Sequence, residues 1–70
     1  MKIGLTLQML RTRAGMSQVQ LAKKSKLSQA MIACIENDVK SPSTNTLEKL
    51  FKALKVKASY FFLKVEEGFK

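Results

Sequence analysis

Apolar residues recur at helical spacing along almost the whole chain. Ile3, Leu7, Leu10 and Ala14 fall at i, i+4, i+7 and i+11, which is one face of a helix. Gly15 follows as a residue suited to end that helix in the left-handed conformation. Ser17, with Gln20 three positions on, forms a capping-box pattern ahead of Leu21 and Ala22 and predicts a second helix. That helix should be short, because Lys23-Lys24-Ser25-Lys26 reads as a turn. Ser28 is another N-cap candidate and leads a third helix from Gln29 to about Glu36. Asn37 to Thr44 carries turn signals at Asn37-Asp38 and Ser41-Pro42-Ser43. Leu47, Leu50, Phe51 and Leu54 then fall at i, i+3, i+4 and i+7, the clearest amphipathic helix of the chain. Ser43 and Asn45 can each cap it. After Val56 a fifth short helix is expected over about Ala58 to Leu63, with fraying from Glu66 to Lys70. Alternation at period two is absent, as are repeats, linkers and low-complexity stretches. The pattern predicts an all-α protein of five helices.

Composition narrows the function classes. Seventy residues make one domain at most. A chain of this size buries only about 60% of its unfolded surface, so a partner or a homodimer would help its core. Hydrophobic residues at 46% and charged residues at 26% argue for a globular chain rather than a disordered one. The single cysteine, Cys34, excludes an intrachain disulfide. The absence of histidine excludes a histidine general base and a Cys/His zinc finger. Uncharged runs such as Leu27 to Ile35 fall far short of the ~20 residues a membrane span needs. Thr6, Gln8 and Arg11 interrupt the apolar stretch behind Lys2, which argues against a signal peptide. A cytoplasmic location is the expectation. Carboxylates are few and scattered, and no phosphate-cradling glycine loop or metal-ligating set is present. No enzymatic activity, metal or cofactor is expected.

Charge then points to a partner. Thirteen Lys and Arg against five Asp and Glu give a net charge of +8. The first half, residues 1–35, holds six basic residues and no acid; the second holds seven basic and five acidic, 7 − 5 = +2. A small, strongly basic domain suits a polyanion, nucleic acid first and an anionic membrane second. The plainer alternative is a solvated basic surface.

The two short helices near residues 17–24 and 28–36, joined by a tight turn, are each too short to be stable alone. Packed across the first and fourth helices they would make a helix-turn-helix, whose second helix can enter the DNA major groove. Turning ~100° per residue places Ile32 and Ile35 on the buried side of that second helix. Ala30, Ala33 and Cys34 then face outward, Gln29 lies on the flank, and Met31 and Glu36 border the core. The outward face is uncharged and mostly small. That suits close approach to base pairs better than a merely solvated face would.

Taken in order, Leu10-Arg11, Gly15-Met16-Ser17-Gln18, Leu21-Ala22, Leu27-Ser28, Ile32, Ile35-Glu36-Asn37, Pro42-Ser43, Leu47, Leu50, Ala53-Leu54 and Val56 resemble the Cro/phage-repressor-like helix-turn-helix family, the XRE type. No single motif among these is specific; the ordered set is. The resemblance implies a compact five-helix lambda-repressor-like domain over residues 1–64, with the helix-turn-helix at about 17–36 and a tail at 65–70. It implies a homodimeric repressor acting on a two-fold operator in double-stranded DNA. It places Gln29, Ala30 and Cys34 at the base edges, in agreement with the helical wheel, which adds Ala33 to the face available to DNA. Gln29 could pair with adenine and Ala30 could touch a thymine methyl. It places Gln18, Asn37, Lys40, Ser43, Thr44 and Asn45 along the DNA backbone, with Gln18 also bracing the recognition helix. Lys23, Lys24 and Lys26 would add a diffuse field or serve only solubility. Arg11 and Glu36 resemble the family's buried ion pair and are read as structural. A chain of this size fits the compact types: Cro-like phage repressors, restriction-modification controllers or antitoxins.

Two departures from the family pattern bear on geometry. Glycine is usual in the turn where this chain has Lys26, and frequent where it has Asp38. If both adopt positive φ, Asp38 is tolerated and Lys26 carries about 1 kcal/mol of strain. Cys34 has two readings, a small residue at the groove or an oxidisable thiol. Near the C-terminus, Tyr60-Phe61-Phe62-Leu63 holds more apolar surface than one short helix can bury. Phe61 is assigned to the core, and Tyr60, Phe62, Leu63 and Phe69 to a homodimer seam. The rival function is a protein-interaction module, such as an antitoxin that sequesters a partner through those aromatics. A membrane role is disfavoured by the dispersed lysines, and RNA binding by the lack of exposed stacking aromatics.

Overall fold

The computed structural model describes residues 3–67. The chain forms α1 (Ile3–Arg13), α2 (Gln18–Ser25), α3 (Gln29–Glu36), α4 (Thr44–Leu54) and α5 (Ala58–Glu67). No strand occurs among the described residues. The five-helix expectation therefore holds.

Helix starts follow the serines. Ser17 is extended, and its hydroxyl accepts the Gln20 N–H at 3.1 Å while the Gln20 side-chain oxygen accepts the Ser17 N–H at 2.8 Å. Ser28 accepts the Met31 N–H at 3.1 Å. Ser43 accepts the Thr46 N–H at 3.2 Å, which settles the start of α4 in favour of Ser43 over Asn45. Each cap satisfies a first-turn donor that has no partner inside its helix.

Helix ends share one device. After α1, Gly15 has φ 73°; Gly15 N–H bonds the Thr12 carbonyl and Met16 N–H the Arg11 carbonyl. This is the Schellman arrangement. The same pattern recurs at Lys26 and Leu27, at Asp38 and Val39, and at Lys55 and Val56, with φ of 60°, 58° and 59° at the first residue of each pair. Lys26 and Asp38 thus adopt the positive φ anticipated for them, and Lys55 joins them. The second residue of each pair is apolar. Met16, Leu27 and Val56 pack against the core, as the motif favours.

The core collects Leu7 and Leu10 from α1, Leu21 and Ala22 from α2, and Ile32 and Ile35 from α3, with Leu50, Phe51, Ala53, Leu54, Phe61 and Val65 from α4 and α5. α1 packs on α3 and α5, α2 on α3 and α4, and α4 on α5. Three expectations need correction. Ala14 lies past the end of α1 and is exposed, because Gly15 turns the chain there. α5 does not stop near Leu63; it continues to Glu67 because Val65, four residues after Phe61, reaches the same core. Lys23, Lys24 and Ser25 belong to α2 rather than to a turn, which begins only at Lys26 with its positive φ. Gly4 and Thr6, on which the apolar spacing is silent, are buried as well. Gly4 is buried because α1 rests directly on the end of α3. A Cβ there would lie 2.5 Å from the Glu36 carbonyl oxygen and 2.6 Å from that of Ile35.

Among the described residues, no helix is long and apolar enough to cross a membrane. No group of His, Cys, Asp and Glu among them could hold a metal ion.

Candidate nucleic-acid interface

The position of α3 is fixed at its C-terminal end. Glu36 is buried, its side chain 3% exposed and that of Arg11 14%. Arg11 Nε donates to Glu36 Oε2 at 2.6 Å and Nη2 to Oε1 at 3.1 Å, a two-bond guanidinium–carboxylate contact. The third nitrogen, Nη1, donates to the Met16 carbonyl at 2.8 Å. Gln18 Nε2 donates to Glu36 Oε1 at 3.1 Å. One carboxylate therefore holds α1, the start of α2 and the end of α3 together, and the guanidinium adds the α1–α2 loop. No buried side-chain nitrogen or oxygen among the described residues lacks a partner. The expected Arg11–Glu36 pair is present. Gln18 braces α3 as expected, by way of that pair.

The loop after α3 reinforces the same end. Asp38 Oδ1 accepts the Gly4 N–H at 3.2 Å. A carboxylate from the α3–α4 loop thereby caps the first turn of α1, where negative charge is favoured. This explains why the left-handed position holds Asp rather than Gly: the side chain has a partner there.

The opposite end of α3 is open. Gln29 and Ala30 are exposed, Ala33 and Cys34 half-buried, and Ile32 and Ile35 buried. The wheel's outward face is thus fully exposed only in its first turn, while Ala33 and Cys34 are half-buried like Met31. That first turn offers backbone N–H groups beyond the one that Ser28 satisfies. Asn37, Lys40, Ser43, Thr44 and Asn45 are all exposed. Asn37 donates its N–H to the Ala33 carbonyl, and Lys40 donates its own to the Cys34 carbonyl at 3.4 Å. The Ser43 hydroxyl is engaged with Thr46 Oγ1 at 3.0 Å as well as with the cap.

Two residues at this surface escaped sequence reasoning. Met31 is half-buried and, with Lys40, Ser43 and Thr46, lines a cavity of about 220 Å³ between α3 and the start of α4. The helical wheel placed it at the border of the core and could not show the loop folding against it. Val39 is 70% exposed. It alone of the four apolar residues following a left-handed turn does not pack on the core. Its exposure depends on the loop path, which no local spacing encodes.

On α5 the expected seam divides. Tyr60 and Leu63 are exposed, 40% and 48%, one turn apart on one face. Phe62 is half-buried and packs edge-on against Phe51 and Phe61 at 6.1 and 5.6 Å between ring centres, so much of it belongs to its own subunit. Phe69 lies outside the described residues.

These features define a helix-turn-helix domain with its second helix clamped behind and free in front. The chain belongs to the helix-turn-helix family, whose model matches residues 7–61. It is 39% identical over 59 residues to the immunity repressor protein of Bacillus phage phi105, covering 84% of this chain and 41% of that protein. It is 38% identical over 64 residues to the HTH-type transcriptional regulator PuuR of Escherichia coli K12, covering 91% of this chain and 35% of that one. The chain thus spans well under half the length of these relatives. Among solved structures, the restriction-modification controller protein C.Esp1396I superposes with a TM-score of 0.88 at 30% identity, over 94% of this chain and 87% of that one. A tetramer of that controller in complex with its natural 35 base-pair operator matches equally well, with a TM-score of 0.88.

Proposed function

We propose that this chain is a sequence-specific, double-stranded-DNA-binding transcriptional regulator that binds a two-fold operator as a homodimer. α3 enters the major groove. Gln29 reads adenine through its N6 and N7 positions, Ala30 contacts a thymine methyl, and Ala33 and Cys34 allow close approach. Asn37, Lys40, Thr44 and Asn45 follow the DNA backbone with the free N–H groups of the α4 start, and Gln18 and Ser43 support that surface. Tyr60 and Leu63 lie on the α5 face assigned to the second copy. Two half-sites would lie about one helical turn apart. Occupancy of such an operator blocks transcription from an overlapping promoter, the repressor mode. The reading assigns no catalytic step to the chain.

The observation that carries this reading is the exposed, uncharged first turn of α3 on a helix whose other end is locked by Arg11, Glu36 and Gln18. The repressor and regulator relatives and the operator-bound controller support it. The test is selection of bound sites from a random duplex library at near-physiological salt, with the stoichiometry of the retained complex. An inverted repeat bound by two subunits is expected. An absence of any enriched sequence would instead favour a protein-interaction module of the antitoxin kind, with Tyr60 and Leu63 as its contact surface.

A further inference from the structure

The surface assigned to operator reading holds almost none of the protein's positive charge. Lys40 is its one cation, while the chain carries thirteen Lys and Arg. Four lysines gather elsewhere. Lys24, at the end of α2, and Lys26, in the turn after it, face Lys49 and Lys52 of α4 across a cleft of about 260 Å³. Ser25 completes the lining. Its hydroxyl is turned inward, donating to the Leu21 carbonyl at 2.7 Å.

Among the described residues no carboxylate neutralises this cluster. All four lysines are exposed, no carboxylate lines the cleft, and none of the four forms an ion pair among the described residues. Glu48 neighbours Lys49 along α4 but lies outside the lining and beyond ion-pair distance. Helix dipoles account for Lys24 and Lys52, which sit in last turns. They do not account for Lys49 in mid-helix. Lys26 also stands at φ 60°, where glycine is unstrained.

We propose that this cleft grips the phosphodiester backbone of the same duplex that α3 reads, and that it supplies much of the salt-dependent, sequence-independent affinity. The proposal rests on the DNA-binding reading above. The composition of the lining favours a DNA backbone over an acidic protein segment. The lining is lysine and serine with no apolar side chain, whereas protein interfaces are depleted in lysine and built around apolar anchors. Protein–DNA interfaces are strongly positive and polar. Chain connectivity keeps one wall of the cleft close to the start of α3. Lys26 is three residues from Gln29, so their Cα atoms are at most about 11 Å apart. That is within the width of one major groove, about 12 Å.

The test compares the full chain with a Lys24→Gln, Lys26→Gln, Lys49→Gln, Lys52→Gln variant whose helicity and thermal midpoint are first matched to the parent. Binding to the selected operator and to a random duplex of equal length is followed as salt is raised. Each phosphate contact contributes about 0.9 to the slope of log affinity against log salt. The variant is expected to lose at least about tenfold in affinity for both duplexes and to lower the slope by about 2 or more. An unchanged slope on both duplexes, with sequence preference intact, overturns the cleft proposal and leaves the operator reading standing. A lowered slope in the absence of any sequence preference does the reverse. Unchanged DNA binding together with lost binding to polyglutamate overturns the proposal in favour of an acidic protein partner.

Discussion

The two ends of α3 are built on opposite plans. At the C-terminal end Glu36 is buried against Arg11 and Gln18, Gly4 lets α1 touch the backbone, and Asp38 reaches back to cap α1. At the N-terminal end Gln29 and Ala30 stand exposed, held by the Ser28 cap and by Leu27, Met31 and Ile32, which pack on the core. One end contributes stability and the other contributes a surface. A helix that must present base-reading groups gains by this division. The direction of α3 is set at its clamped end, so the exposed residues of its first turn can vary at little cost to the fold.

The division is broken most strongly at Glu36. Glu36→Ala leaves the Arg11 guanidinium in its half-buried site with no carboxylate and strips Gln18 of its partner. A loss of about 3–5 kcal/mol is expected, against a total of about 4–10 kcal/mol for a chain of this length. Urea denaturation should show the midpoint falling steeply. A loss under ~1 kcal/mol would show that the clamp contributes little. Arg11→Met with Glu36→Leu and Gln18→Leu sharpens the point, since an apolar replacement of the whole group can recover much of that stability. Gln29→Ala tests the free end. It should lower discrimination between selected and mismatched duplexes by about 2 kcal/mol, roughly thirtyfold. Its urea midpoint should stay within about 0.5 kcal/mol of the parent.

Gly4→Ala returns to the clamped end through packing alone. The new methyl would meet the carbonyl oxygens of Glu36 and Ile35 and the Asp38 carboxylate, at 2.8 Å or less. α1 would have to back away from α3. Overpacking of this kind costs about 1–3 kcal/mol, partly offset by the better helix propensity of alanine. A net loss of about 1–2 kcal/mol is expected in thermal unfolding. An unchanged midpoint would mean that the α1–α3 contact is softer than the distances imply.

The same division explains what was legible in the sequence. Caps and apolar spacing are local, so Ser17, Ser28, Ser43 and the face of α3 could be read directly. Arg11 and Glu36 were legible only through a resemblance, because their meeting requires two helices to converge. Gly4, Asp38 and Met31 were missed as contacts for the same reason: each matters through a neighbour distant in sequence. Gly4 and Asp38 are 34 residues apart along the chain. The lysine cleft is likewise invisible along the chain, where Lys24 and Lys26 read as a turn and Lys49 and Lys52 as the solvent side of an amphipathic helix.

The smallest expected effect separates the three non-glycine residues at positive φ. The left-handed conformation costs a residue with a Cβ about 1–2 kcal/mol, while glycine loses more chain entropy, about 0.5–1 kcal/mol. Lys26→Gly and Lys55→Gly should therefore each stabilise the protein by about 0.5 kcal/mol, raising the midpoint by about 2–4 °C. Asp38→Gly gains the same relief but loses the hydrogen bond from Gly4, worth about 1 kcal/mol. It should be neutral or slightly destabilising. Lys26→Gly carries a second expectation, because it also removes one ammonium from the cleft. The salt slope of DNA binding should fall by about 0.9 even as stability rises. Lys55 does not line that cleft, so Lys55→Gly should leave the slope less affected. If the two variants changed both quantities alike, the distinction between the cleft and the remaining basic surface would be lost.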